Sequence, residues 1–102
     1  MLKIVYEKDD DTWLFKPVIF CDHCGKQITD AKDGNYEWLV DDSGPIDGKI
    51  FFTHKDCCYA FEEANGGRGY WYCGELLLFP LFLATNLNVN MKEARQLARM
   101  SP

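Results

Sequence analysis

The sequence predicts an α+β fold, built as a metal knuckle, a β-hairpin and a helix, followed by two C-terminal helices. Three observations predict it. Cys21-Asp22-His23-Cys24-Gly25 holds a C-x2-C pair, and His54-Lys55-Asp56-Cys57 holds an H-x2-C pair. Between them, two strand-like runs flank a stretch dense in turn residues. After residue 70 the pattern turns helical.

Taken in chain order, Trp13–Phe20 (WLFKPVIF) is apolar and β-prone, with Pro17 marking an edge or irregular strand. The C-x2-C knuckle follows, and Gly25 supplies a residue tolerant of a tight bend. Asn35–Val40 (NYEWLV) alternates as a strand with Tyr36, Trp38 and Val40 on one face. Residues 41–48 (DDSGPIDG) form the connection, and Lys49–Thr53 (KIFFT) is the returning strand. A helix is expected after His54, capped by Asp56 or Thr53 and stopped by Gly-Gly-Arg68-Gly at 66–69. A second helix is expected over about Tyr72–Leu87, kinked or restarted at Pro80. Asn90 should cap the last one, MKEARQLARM. Residues 1–70 then form the metal-binding module with its N-terminal strand. Residues 71–102 form a helical hairpin packed on it within a single compact domain.

Composition sets the outer limits. The chain has 102 residues, 47% of them hydrophobic and 15% aromatic, which suits one small folded domain. Its net charge is −5. The excess acid lies in residues 21–74 and only the C-terminal segment is slightly basic, so a bulk electrostatic grip on nucleic acid is not expected. No apolar run is long enough to span a bilayer, and no signal-peptide pattern opens the chain. The expectation is a cytoplasmic protein without membrane contact. Five cysteines in a reducing compartment point to metal or redox chemistry rather than disulfides.

Cys21, Cys24, His54 and Cys57 offer three sulfurs and one imidazole, a complete tetrahedral shell for one Zn2+ ion. Cys58 is the alternative to Cys57. On a helix Cys57 shares a face with Ala60, Phe61 and Ala64, whereas Cys58 shares one with Phe61, Glu62 and Asn65. The apolar face must meet the hairpin, so Cys57 is the better ligand. A shell closed by four protein ligands is structural. His23 should face solvent, and Cys73 should be a small core residue.

The order of knuckle, hairpin and helix-borne second ligand pair resembles the treble-clef zinc-finger class. The ligand order C-x2-C…H-x2-C is similar to the first finger of LIM domains. The gap from Cys24 to His54 is longer here and no second finger follows. The resemblance therefore implies a treble-clef fold with a zinc ion, over about residues 18–65, and no LIM function.

No catalytic constellation stands out. Ser43 and Ser101 lie in no nucleophile context, and the glycines at 66–69 lack phosphate-loop spacing. The reading is a non-catalytic adaptor or regulator engaging another macromolecule, in first place a protein, with no evident small-molecule substrate. Residues 84–98 (ATNLNVNMKEARQLA) weakly resemble a helix-turn-helix core, with Asn88 where glycine is usual. That resemblance implies a DNA-binding alternative in which Lys92, Arg95, Gln96 and Arg99 face the duplex. A thiol redox protein using Cys21 and Cys24 is the second alternative.

Overall fold

The structure, a computed structural model, describes residues 1–9, 12–67 and 69–100. Arg68 and Ser101 lie outside the described residues. Among the described residues the architecture is mixed α and β: two antiparallel sheets, three α-helices, and the last two helices at the C-terminal end.

Strands β1 (Leu2–Asp9) and β2 (Thr12–Ile19) form a ladder running from Leu2↔Ile19 to Asp9↔Thr12. Strand β1 escaped the sequence reading, since LKIVYEKD carries charged residues at Lys3, Glu7 and Lys8. On one face Leu2, Ile4 and Tyr6 lie opposite Ile19, Pro17 and Phe15. Pairing brings Tyr6 against Phe15 and Trp13, with ring centroids 5.5 and 5.1 Å apart. This ribbon stands off the core, and most of its apolar side chains are exposed.

The second sheet is organised around β3 (Gly34–Asp41), which is antiparallel to β4 (Gly44–Pro45), β5 (Phe51–His54) and β6 (Tyr70–Glu75). Strand β6 replaces the first turn of the expected second helix. Tyr70, Trp71, Tyr72 and Cys73 suit a pleated surface better than a helix, and β3 offers them a free edge. Helical structure begins only with a 3-10 turn over Leu76–Leu78 and α2 (Phe79–Asn86), where Pro80 occupies the first turn and needs no amide partner. Helix α3 (Met91–Met100) starts as expected, Asn90 Oδ1 accepting the Glu93 amide at 3.1 Å.

Period-two alternation divides β3 between two compartments. Tyr36 faces the principal core of Cys21, Ile28, Phe52 and Leu76, with Phe79 packed edge-on to Phe52 at 5.4 Å. Tyr36 also stacks on Trp38 at 5.3 Å, as the alternation predicts. Its ring lies over Gly74, where a Cβ would stand 2.6 Å from Tyr36 Cε1, so any side chain there must displace the ring. Glu37, on the opposite face, is covered by α1 (Cys58–Ala64), whose Phe61 meets Phe51 and Trp71 at 5.4 and 5.3 Å.

The Cα radius of gyration is 16.1 Å, against about 13 Å for a compact globule of this length. The excess reflects the β1–β2 ribbon and the C-terminal helices. Leu81, Phe82, Leu87, Met91 and Met100 are all exposed there.

Candidate metal centre

The knuckle is made by local chemistry. Ile28 N donates to Ile19 O at 2.8 Å and Cys21 N to Lys26 O at 2.8 Å, so the chain doubles back around Cys21–Gly25. Gly25 adopts φ +78°, a left-handed conformation that disfavours side chains. The knuckle is then clamped to β5. Asp22 N donates to Phe52 O at 2.7 Å, and the Asp22 carboxylate accepts the Phe52 amide at 2.8 Å.

That clamp brings the far ligands within reach. Cys21 and Cys24 come from the knuckle, His54 ends β5, and Cys57 closes the 3-10 turn over Lys55–Cys57. One ligand atom from each of the four lies within 4.8 Å of the other three. Cys24 Sγ stands 3.3 Å from His54 Nδ1, so Nδ1 is the ring nitrogen turned toward the cluster. A tetrahedral shell with thiolate and imidazole bond lengths has edges of about 3.6–3.8 Å. The four side chains therefore fit one ion with small movements, and all five cysteines are free of disulfides.

Electrostatics also favour a cation here. Burial pushes the Cys21 thiol up, but the amides of Cys24, His54 and His23 all donate to its sulfur, at 3.5, 3.4 and 3.4 Å. These bonds prevail and hold Cys21 at about 6. Cys57 moves the other way, to about 12, through burial and then its nearness to the sulfurs of Cys21 and Cys24. Three sulfurs at such separations cannot all ionise without a positive charge among them. A metal ion held among them would supply that charge.

The structure places Cys57, not Cys58, in this cluster, though not for the helical reason anticipated. Cys57 precedes α1, and Ala60 and Ala64 are exposed, leaving Phe61 as the buried residue of that helix. The tighter 3-10 turn, rather than a helix face, aims Cys57 at the principal core. Neither Asp56 nor Thr53 caps the helix. Thr53 Oγ1 instead donates to Glu37 Oε2 at 2.7 Å. His23 is exposed, as expected, whereas Cys73 is exposed rather than a core residue.

Lys92, Arg95, Gln96 and Arg99 line one shallow groove along α3, more than one helix from any metal ligand in sequence. Asn88 takes φ +54°, the left-handed conformation anticipated for the turn before α3. Among the described residues, no helix is long and apolar enough to cross a membrane.

Comparison of the chain with protein families, with curated proteins and with solved structures returned no match in any of the three. The metal cluster and the fold around it are the ground on which function must be argued.

Proposed function

We propose that this protein is a non-catalytic zinc module of treble-clef type that engages another protein, as an adaptor or regulator in the cytoplasm. Three sulfurs and an imidazole suit Zn2+, and four protein ligands leave no position for substrate or water. The ion's part is to lock the knuckle to β5 and to the start of α1. Binding energies on the order of 10–16 kcal/mol in finger peptides are ample for that.

The observation that carries the protein-partner reading is the apolar surface outside the core. Leu81 and Phe82 on α2, Leu87 in the turn and Met100 on α3 are 59%, 48%, 66% and 80% exposed. Side chains of this size grouped on one terminal segment are typical of a contact surface. The five unpaired cysteines accord with a reducing compartment.

A DNA-binding reading draws on one specific observation, the shared groove of Lys92, Arg95, Gln96 and Arg99. The net charge of −5 weighs against it. The redox reading has the lowered Cys21 thiol in its favour, but Cys21 is 1% exposed and a reactive thiol needs access.

The test combines metal analysis with binding. Purified protein should carry zinc in a form that Cys57→Ser loses together with the fold. Leu81→Glu with Phe82→Glu should abolish co-purification of the partner while leaving zinc content unchanged. A low-salt gel shift abolished by Arg95→Ala with Arg99→Ala, with co-purification unaffected by the α2 changes, would replace this reading by the DNA-binding one.

A further inference from the structure

On the opposite face of β3 lies a second group of ligand-type side chains. Glu37 Oε1 stands 3.2 Å from Cys58 Sγ, and Glu62 Oε2 stands 3.1 Å from the same sulfur. One ligand atom from each of the three lies within 4.8 Å of the other two. Glu37 is fully buried, at 0% exposure. No cationic side chain pairs with it among the described residues. Cys73 is its register partner on β6.

Hydrogen-bond counting makes this arrangement unusual. A thiol has one proton to donate, yet Cys58 Sγ meets two carboxylates. One of those two contacts therefore needs a second proton or a cation. The Thr53 hydroxyl, itself fully buried, holds Glu37 Oε2 at 2.7 Å and leaves Oε1 turned toward the sulfur. Donors that orient a ligating carboxylate in this way are a regular feature of metal sites. A buried carboxylate left without a counter-charge is strongly disfavoured.

We infer that Glu37, Cys58 and Glu62 form a second metal site, separate from the Cys3His cluster, which takes a divalent transition ion through two carboxylate oxygens and one thiolate. The mixed oxygen and sulfur set suits zinc, cobalt(II) or iron(II), and the thiolate excludes magnesium and calcium. The adjacent residues Cys57 and Cys58 thus serve two different ions, one on each side of the sheet. The doubled cysteine, which sequence reasoning treats as a choice between alternatives, is on this view a pair with both members in use.

The test is metal stoichiometry of the full chain, with cobalt(II) as the probe under reducing conditions. After gel filtration the wild-type protein should retain two equivalents. Glu62→Gln, at a half-buried position of α1, should retain one, and so should Cys58→Ser. The sulfur-to-cobalt charge-transfer band should shrink in Cys58→Ser and keep its intensity per bound ion in the remaining site. Circular dichroism identifies any variant that fails to fold, and the two substitutions sit on different atoms of the site. Saturation of the wild type at one equivalent would overturn the inference and leave Glu37 a neutral, hydrogen-bonded acid. A second equivalent that survives both substitutions would overturn it as well, placing that ion elsewhere on the surface. Failure of the Cys3His reading has a different signature: an unchanged count in Cys57→Ser.

Discussion

Cys21 and Cys24 belong to one knuckle, yet replacing each by alanine should have unequal effects. Each substitution removes one of the four donors of the cluster. Cys24 is exposed, and its sulfur accepts no backbone amide among the hydrogen bonds described, standing 3.3 Å from His54 Nδ1. Water can fill its place. Cys21 is 1% exposed, and its sulfur receives three backbone amides, those of His23, Cys24 and His54. A buried donor left without an acceptor costs about 1–3 kcal/mol. All three bonds are part-buried, so each donor counts in part and together they amount to about one full penalty. A further ~1 kcal/mol comes from the void left by the sulfur in the principal core. Cys21→Ala should therefore be less stable than Cys24→Ala by about 2–4 kcal/mol. Global stability for a domain of this length is about 5–15 kcal/mol, so the gap is readable. Urea unfolding in excess zinc, followed by circular dichroism, measures it. Equal midpoints for the two variants, or a lower midpoint for Cys24→Ala, would refute the role given to the amide-to-sulfur bonds.

Gly74→Ala should destabilise by about 1–3 kcal/mol, because the new Cβ meets the Tyr36 ring at 2.6 Å; an unchanged urea midpoint would mean the ring can move aside. Asn88→Gly should be neutral or stabilising and Asn88→Ala should lose about 1 kcal/mol, since φ is +54° there; thermal melts giving Ala the higher midpoint would contradict this. Burial raises the Glu37 carboxyl above its ordinary value, so the native state binds this proton more tightly than the unfolded chain does. With the second site empty, its contribution to stability is complete below the ordinary carboxylate pKa and is lost as pH rises through the raised one. Glu37→Gln should remove that part of the pH dependence, and parallel stability profiles for the two proteins would count against it.

The sequence revealed the elements whose signals are local. The C-x2-C and H-x2-C spacings, the alternation of β3, the turn-rich connection and the Asn90 cap each reside in a few neighbouring residues. What it concealed depends on long-range pairing. Residues 70–75 carry apolar side chains that serve a helix or a strand equally, and only the open edge of β3 decides between them. Strand β1 was hidden because a half-exposed ribbon tolerates Lys3, Glu7 and Lys8. At the site, the grouping of Cys21, Cys24, His54 and Cys57 followed from spacing, while the reason Cys57 rather than Cys58 joins it did not. A 3-10 turn before α1, three residues long, changed the direction of both thiols. Glu37 gave one usable signal, an acid in the middle of the strand between the aromatic residues Tyr36 and Trp38.

The Cys57–Cys58 dipeptide sits where a tight turn becomes an α-helix, and its two members look into chambers divided by the sheet. Their phase is therefore tied to chain length. Deleting or inserting one residue between His54 and Cys58 would rotate each sulfur into its neighbour's role. Variation in this stretch is open to exchange of side chains but closed to any change in spacing, and a graft of this segment into another scaffold must carry His54 through Glu62 as an unbroken block.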